Sequence, residues 1–421
     1  MRFIDVFAGC GGLSLGLLKA GWRGVAAVEK NPMAFETLRH NLIDGKRFNF
    51  EWPDWLPQKA LSCEEFTEDY RHHLCALSGE IDLMVGGPPC QGFSLAGRRD
   101  PLDPRNKMAE HYLELIKIVL PRFILIENVS GFNAEFSDTT KKSTNEKKTK
   151  RTYADYICEQ LETIDYKVYR GKLNCAEFGV PQNRHRYFII CTLDKNTPDL
   201  LKKLKEFAPS FKRSKNLNTN HQTSVHDAIG DLEVTGKILI ESSDSNVKGF
   251  QEIKYETPDI ISPYLRVMRE SCHLPPNSLR LPRHKKETIK QFIKIRHAST
   301  PGKSLSISER ERLGLKKHSI TVLARDLPSP TITTLPDDII HYSEPRILTV
   351  RENARIQSFP DWFEFIGKYT TGGESRKKEC PRYTQVGNAV PPLLSEAFGL
   401  MLKMQLEADT EIRQQPVGMN P

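Results

Sequence analysis

Long apolar runs are missing from this sequence. No stretch approaches the ~20 consecutive apolar residues that span a bilayer, and the opening Met1-Arg2-Phe3-Ile4-Asp5 introduces an acid too early for a signal peptide. The mean hydropathy of -0.48 argues against an integral membrane or fibrous protein, and the 38% hydrophobic content argues against global disorder. We therefore expect a globular chain that stays in the cytoplasm and has no membrane partner.

Paired cysteines are missing as well. The nine cysteines are an odd number, are scattered and form no CxxC pair, so they suit neither a disulfide framework nor a zinc site. We expect reduced thiols and no metal. Because a cysteine is usually a small buried apolar residue, we expect that role for eight of them. The ninth, Cys90, is set apart by its neighbours.

The length of 421 residues exceeds the roughly 250 to 300 that one core usually holds, so two lobes are expected. The first 193 residues alternate short apolar strands with amphipathic helices, which is typical of an α/β fold with a mostly parallel sheet. The predicted strands are 3–7, 24–29, 81–85, 123–126 and 186–192, and the predicted helices are 13–20, 32–40 and 109–119.

The remaining chain divides by composition. Residues 133–152 hold almost no apolar side chain and many lysines, which predicts a solvated surface insertion. Between 194 and 320 the alternation is lost and basic clusters recur, which predicts a second, smaller and irregular domain. A compact pattern returns at 321–406 and closes on an apolar helix at 392–406, before a polar tail at 407–421. The net charge of +8 permits a polyanionic partner.

A glycine-rich turn joins the first predicted strand to the first predicted helix. Gly9, Gly11 and Gly12 let the backbone approach a ligand, and the helix amino terminus offers free N–H groups. The next strand ends at Glu29, and an acid at this position is the residue type that holds a ribose diol. These features predict an adenosine-containing cofactor, although their spacing does not separate a nicotinamide cofactor from S-adenosylmethionine.

Cys90 stands in the run VGGPPCQGFS, directly after the third predicted strand. Two prolines restrict the chain and lock the thiol at the carboxyl edge of the sheet, where the cofactor is expected. Glu127 ends the next strand at the same edge, and Arg184 and Arg186 introduce the last one. The pattern predicts one site that combines a thiol nucleophile, a carboxyl group and two arginines.

Seven motifs make the sequence resemble the DNA cytosine-5 methyltransferases, above all the modification enzymes of bacterial restriction-modification systems. They occur in the family's order and cover both ends of the chain: FAGCGG, GGPPCQGFS, DPRN, ENV, QNRHR, RENARIQSFP and QVGNAVPP. The resemblance implies a Rossmann-like S-adenosylmethionine-dependent methyltransferase domain at 1–193, completed by 321–406. It also implies a target-recognition domain at 194–320.

The resemblance further implies a reaction. Cys90 would add to C6 of a flipped-out cytosine, which turns the ring into an enamine that can accept a methyl group at C5. Glu127 would bond N3 and the exocyclic amine of the base, Arg186 would hold O2, and Arg184 would support the neighbouring loop or a phosphate. The implied function is C5 methylation of cytosine in a specific short duplex sequence, which protects DNA in a restriction-modification system.

The cofactor implied by the resemblance is S-adenosyl-L-methionine. Transferred residue by residue, its pocket would be lined by Phe7, Gly9, Gly11, Glu29, Ser62, Pro89, Met108, Asn388 and Val390. One position departs from the family, which usually has an acid after the third strand to bond the adenine amino group. Ser62 stands there, with Glu64 and Glu65 as alternative equivalents.

Other classes share part of this pattern. A relative acting on transfer RNA would share PPCQ and ENV, but the long basic segment between QNRHR and RENAR favours DNA. A non-catalytic DNA-binding regulator would lack the nucleophile or the acid, and both are present. Enzymes that methylate DNA amino groups need an aromatic ring where this chain has Cys90. We expect a monomer that binds double-stranded DNA and acts separately from any cognate restriction endonuclease.

Overall fold

A central sheet organises the protein, for which a computed structural model describes residues 1–45, 47–48, 50–88, 107–129, 135–136, 151–244, 247–317, 319–370 and 375–414. The strands are Arg2–Val6 (β1), Arg23–Val28 (β2), Leu83–Gly86 (β3), Phe123–Asn128 (β4), Glu135–Phe136 (β5), Arg151–Thr152 (β6), Lys167–Asn174 (β7), Gln182–Asn183 (β8), His185–Thr192 (β9), Leu239–Glu241 (β10), Gln251–Ile253 (β11), Thr321–Val322 (β12), Ser329–Pro330 (β13) and Ile339–Ile340 (β14).

Six of these strands form the main sheet, in the order β2-β1-β3-β4-β9-β7. Strands β1 to β4 are parallel, whereas β9 runs antiparallel to both β4 and β7. The predicted α/β fold with a mostly parallel sheet is confirmed. Four short two-stranded pairs accompany it, and β10–β11 forms an antiparallel pair within the predicted second domain.

The helices cover the sheet and build the rest of the chain. They are Gly12–Lys19 (α1), Pro32–Leu38 (α2), Cys63–Asp69 (α3), Arg71–Cys75 (α4), Lys107–Val119 (α5), Tyr153–Glu162 (α6), Leu200–Ser214 (α7), Val225–Ile229 (α8), Pro263–Met268 (α9), Lys286–Ala298 (α10), Ile307–Arg312 (α11), Val350–Ile356 (α12), Ser375–Lys378 (α13), Arg382–Asn388 (α14) and Pro392–Gln414 (α15). A π-helical turn follows α2 at Arg39–Ile43, and short 3-10 turns lie at Cys175–Phe178, Gly230–Leu232 and Pro336–Asp338.

The sheet contributes side chains to two apolar cores, one on each side, because successive residues of a strand face opposite sides. Phe3, Leu83 and Phe188 belong to the core shared with α1, α7 and α15. Ile4 and Met84 belong to the core shared with α3, α5 and α6. The result is a three-layer arrangement. Helix α7 packs in the first of these cores although it lies within 194–320, and the domain boundaries themselves stay predictions.

The carboxyl-terminal helix is longer than predicted. The sequence predicts it at 392–406 with a polar tail from 407, but α15 continues to Gln414. Asp409 accounts for the extension, since it pairs with Arg122 at 2.6 Å and accepts a hydrogen bond from Gln405 Nε2 at 2.6 Å. Residues 415–421 lie outside the described part of the chain.

The lysine-rich insertion predicted at 133–152 is described only at its two ends. Strands β5 and β6 pair there antiparallel, and Thr152 then caps α6. The residues between these strands lie outside the described ranges, so the prediction of a solvated loop stays a prediction. Among the helices of the described ranges, none is long and apolar enough to cross a membrane.

Asp5 is a fully buried carboxyl group on β1. Its Oδ2 accepts hydrogen bonds from the backbone N–H and the hydroxyl of Ser14, at 3.2 and 2.6 Å, and so holds the first turn of α1. Its Oδ1 is buried with no hydrogen-bond partner among the described residues. Burial raises the pKa of Asp5 from its ordinary 3.8 to about 7, with a smaller contribution from the charge of Glu29.

We predict that Asp5 makes stability depend on pH. Between the two pKa values the folded chain holds a proton that the unfolded chain has lost, so stability falls as pH rises through this window and levels off above 7. Relative to Asp5→Asn, the wild-type free energy of unfolding should fall by about 1.4 kcal/mol per pH unit between pH 5 and 7. Urea titrations across pH 5–8 measure this difference, and parallel curves for the two proteins would contradict it.

Candidate active site

A cavity of about 870 Å³ opens at the carboxyl edge of the sheet. It receives residues that follow β1, β2 and β3, residues of β4 and β9, and the carboxyl end of α14. Ten of the predicted site residues line it: Phe7, Gly9, Glu29, Ser62, Met108, Glu127, Arg184, Arg186, Asn388 and Val390. Cys90 and Pro89 lie outside the described residues, and Gly11 does not line the cavity.

The glycine turn after β1 shapes one wall of this cavity. Gly9 adopts a φ of 57°, a left-handed conformation that suits glycine, and lies open to the cavity. Gly11, at φ 93°, instead packs against Leu42, whose Cδ1 would lie 2.8 Å from an added Cβ. Gly11 therefore packs closely beneath the turn, and its predicted contact with the cofactor stays a prediction.

Glu29 is anchored by the backbone around it. Its Oε2 accepts a hydrogen bond from the Gly9 N–H at 2.9 Å, and its Oε1 accepts one from the Asn31 N–H at 2.7 Å. Burial raises the pKa of Glu29 above its ordinary value, and these backbone bonds oppose the shift. The carboxylate is thus fixed at the end of β2, with acceptor capacity left on both oxygens.

Ser62 and Glu65 cap the start of α3. Ser62 Oγ accepts from the Glu65 N–H at 3.1 Å, while Glu65 Oε2 accepts from the Ser62 N–H at 2.7 Å, which is a capping box at the start of α3. Glu65 is thereby directed away from the cavity lining. Glu64 does line the cavity, and its Oε1 lies 3.7 Å from His111 Nε2. Ser62 and Glu64 line the cavity and Glu65 does not, and which of them bonds the adenine stays a prediction.

Glu127 on β4 and Arg186 on β9 form an ion pair, and strands β1 and β3 separate this end of the cavity from Glu29, which follows β2. Arg186 Nε lies 3.0 Å from Glu127 Oε1, and each side chain is 13% exposed. Gly87, just beyond β3, allows this arrangement, because a Cβ there would lie 3.3 Å from Glu127 Oε2. A carboxylate and a guanidinium are therefore held together, half-buried and facing the cavity.

The residue beside Glu127 reaches the chain that leads to Cys90. Asn128 Nδ2 donates to the Pro88 carbonyl at 2.9 Å, and Asn128 Oδ1 accepts from the Val129 N–H at 2.9 Å. Pro88 also lines the cavity. The backbone two residues before Cys90 is thus tied to the residue next to Glu127.

Arg184 lines the cavity although it is almost fully buried. It donates to the carbonyls of Ile332, Gly387 and Ala389 at 3.1 to 3.2 Å. Burial, and secondarily the charge of Arg186, lowers the pKa of Arg184 to about 9, so the side chain stays charged at neutral pH. These contacts tie the residue between β8 and β9 to Ile332 and to the end of α14, and the predicted role of Arg184 stays a prediction.

Several lining residues were not predicted from sequence. His111 follows Met108 by one helical turn on α5, a spacing that could have identified it. Cys380 lies just before α14 and outside every motif, whereas Gln385 lies within α14 and opens the QVGNAVPP motif, which could have identified it.

The cysteines other than Cys90 differ in exposure. Five are buried as expected: Cys10, Cys63, Cys158, Cys175 and Cys191. Cys272 and Cys380 are half-buried and Cys75 is exposed, so the expectation is wrong for these three. Burial raises the pKa of Cys63 and of Cys380, both in the cavity lining, to about 12. Neither thiol is activated as a nucleophile.

The chain matches the family of C-5 cytosine-specific DNA methylases over residues 1–403, and it belongs to that family as a DNA cytosine-5 methyltransferase. The Type II methyltransferase M.DdeI of Desulfomicrobium norvegicum is 32% identical over 416 residues, 97% of this chain and 89% of that protein. The Type II methyltransferase M.XorII of Xanthomonas oryzae is 30% identical over 434 residues, 97% and 86% of the two chains.

Solved structures share the fold. A proposed DNA modification methyltransferase encoded within an E. coli prophage has a TM-score of 0.62 at 22% identity and covers 97% of this chain and 99% of its own. The S. pombe Dnmt2 methyltransferase has a TM-score of 0.51 at 16% identity, with 97% and 98% covered. At these identities the likeness concerns the fold alone.

We predict that replacing Arg184 destabilises the protein more than replacing Arg186. Arg184→Met leaves buried carbonyls without their donor, at about 1–3 kcal/mol for each unsatisfied group, so the free energy of unfolding should fall by at least about 2 kcal/mol. Arg186→Met is the matched control, because its partner Glu127 faces the cavity and can be solvated. Urea unfolding of both variants tests this, and equal losses would contradict it.

Proposed function

We propose that this enzyme transfers a methyl group from S-adenosylmethionine to C5 of a flipped-out cytosine in a specific short duplex sequence, through a covalent adduct of Cys90. The observation that supports the proposal is a single cavity whose two ends carry different charged groups. An anchored carboxylate, Glu29, stands at one end, and the Glu127–Arg186 ion pair stands at the other. A cofactor and a base could meet between them.

The first end fits an adenosine-containing cofactor. Glu29 keeps acceptor capacity for a ribose diol, and Gly9 leaves the turn open on the cavity side. Glu64 and His111 would face the adenine, and Asn388 and Val390 would close the pocket from the carboxyl-terminal side. A volume of about 870 Å³ suits a ligand of this size. When bound, S-adenosylmethionine supplies an electrophilic methyl group on a sulfonium.

The second end fits a cytosine. Glu127 would bond N3 and the exocyclic amine, and Arg186 would hold O2, so the ion pair presents a donor and acceptor edge to the base. Protonation at N3 makes C6 more electrophilic. The Cys90 thiolate would then add to C6, and C5 would become nucleophilic. After methylation, loss of the C5 proton and elimination of the thiolate would restore the ring and free Cys90.

The relatives extend the proposal to a biological setting. M.DdeI and M.XorII are named as Type II methyltransferases, and 97% of this chain aligns with each of them. We infer that this enzyme likewise protects DNA within a restriction-modification system. It would act as a monomer, separately from a cognate endonuclease.

The covalent step predicts a trapped adduct. A long duplex in which 5-fluorocytosine replaces cytosine contains every target, so the target sequence need not be identified first. With S-adenosylmethionine, the wild-type enzyme should form a complex that survives denaturing electrophoresis, because fluorine at C5 cannot leave as a proton. Cys90→Ser should form none, and an active Cys90→Ser enzyme would overturn the proposal.

Glu127→Gln serves as the companion variant in this assay. It keeps the side-chain shape but removes the proton donor, so adduct formation should slow by roughly 10²–10⁴ while affinity for S-adenosylhomocysteine changes little. Loss of cofactor affinity instead would assign Glu127 a structural role.

Helix α10 is the surface we propose for contact with DNA phosphates in the recognition segment. Its buried side chains, Phe292 and Ile295, face a small core, while Lys286, Lys290 and Lys294 are exposed. A spacing of four residues aligns these lysines on one face over about 12 Å. Such a row can neutralise successive phosphates without reading the bases.

We predict that the α10 lysines contribute to the salt dependence of DNA binding. Lys290→Gln with Lys294→Gln should reduce the slope of log K against log[salt] by about 0.9 for each phosphate that is no longer neutralised. The matched control changes two lysines of α7, Lys202 and Lys205, and should leave the slope unchanged. Fluorescence anisotropy with a duplex at several salt concentrations measures both slopes. If the slope changed only in the α7 variant, the phosphate contact would lie on α7 and not on α10.

A further inference from the structure

Five side chains form an alternating stack, which we call the arginine–aromatic stack. Its order is Arg283, Phe250, Arg280, Tyr369 and Arg382. The guanidinium carbons of Arg283 and Arg280 lie 5.0 and 4.1 Å from the centre of the Phe250 ring. Those of Arg280 and Arg382 lie 3.6 and 4.4 Å from the centre of the Tyr369 ring. These distances are within the range of favourable cation–π contact.

Asp244 fixes the inner end of the stack. One of its oxygens accepts the Tyr369 hydroxyl, and the other accepts Arg382 Nη1 at 2.5 Å and the Ser278 N–H at 2.9 Å. Tyr369 and Arg382 are only 5% and 8% exposed. The Tyr369 ring and the Arg382 guanidinium are therefore held in one geometry, whereas Arg283 at the other end of the stack is exposed.

The stack joins two parts of the chain with different predicted tasks. Asp244, Phe250 and Arg280 belong to the segment 194–320, whereas Tyr369 and Arg382 belong to the returning segment 321–406. Strand β11, which follows Phe250, is joined to the residue after Arg280, because the Leu281 N–H donates to the Gln251 carbonyl at 2.8 Å. The recognition segment thus reaches across to a specific helix of the catalytic domain.

That helix is α14, which begins at Arg382 and ends at Asn388 in the cavity lining. At its cavity end, Arg184 and Gln357 hold the carbonyls of Gly387 and Ala389. At its beginning, Arg382 Nε donates to the Gly367 carbonyl at 3.0 Å and the side chain closes the stack. A shift at Arg382 would be carried along two helical turns to Asn388.

We propose that the arginine–aromatic stack is a positioning device that holds α14, so that the affinity of the cofactor cavity depends on Phe250 and Arg280 of the recognition segment. None of the residues of the stack lines the cavity. The inference rests on the proposed function, because it takes an S-adenosyl compound as the ligand.

The test measures the dissociation constant of S-adenosylhomocysteine by calorimetry, at a temperature well below the unfolding midpoint of each protein. Arg280→Met removes the guanidinium between the two rings and should weaken binding about three- to tenfold. Phe250→Leu, a second variant at a half-buried position, should do the same. Tyr369→Phe keeps the ring and loses only the bond to Asp244, so it should restore most of the affinity lost in Tyr369→Leu.

Arg283→Met is the matched control, because it removes the same charge from the far side of Phe250, away from α14. Its dissociation constant should stay within twofold of wild type. A purely stabilising stack would lower the unfolding midpoint of Arg280→Met with an unchanged dissociation constant, and that result would overturn the inference. If the wild-type protein itself fails to bind S-adenosylhomocysteine, the proposed function fails instead.

Discussion

Close contact between α1 and α15, the first and last helices of the described chain, is the constraint on which the site depends. On α1, a Cβ at Gly16 would lie 2.3 Å from Ser395 Cβ, and one at Gly12 would lie 2.3 Å from the Val390 carbonyl oxygen. Glycine therefore permits a backbone approach that any side chain would prevent. Because α15 sits this close, the residues before it, Asn388 and Val390, reach the turn that carries Gly9. The two ends of the chain complete one cavity.

Glu29 and Glu127 both line that cavity, but their carboxylates are held by different kinds of partner. Glu29 is bonded by backbone N–H groups, which cannot move away when a ligand enters. Glu127 is paired with a side chain, Arg186, which can turn toward a base. A rigid anchor suits a cofactor that must be held in one place, and an adjustable pair suits a substrate that enters from a duplex. Arg184, which also lines the cavity, is fixed by the carbonyls of Ile332, Gly387 and Ala389.

Local patterns in the sequence predicted the parallel strands and the glycine turn, because buried strands are continuous apolar runs. They did not predict β7, whose exposed and half-buried residues at the sheet edge lack such a run. Neither could they show that Ser62 and Glu65 cap α3 while Glu64 lines the cavity, since this depends on where the helix begins. The burial of Arg184 was equally hidden, because only the folded chain brings carbonyls from residues 332, 387 and 389 around it.

Buried ion pairs join residues 194–320, the segment proposed for recognition, to the returning segment 321–406. Arg355 and Asp361 are fully buried and pair at 2.8 Å, and they engage Asp231 and Arg269 of the segment at 2.5 and 2.9 Å. The cost of removing both charges from water offsets much of their attraction. Such pairs therefore add little net stability and mainly fix how the two segments are oriented. Two residues beyond Arg355, Gln357 bonds the Val386 and Ala389 carbonyls next to the cavity. The carboxyl end of α12 therefore orients both the segment proposed to bind DNA and the cavity wall proposed to bind the cofactor.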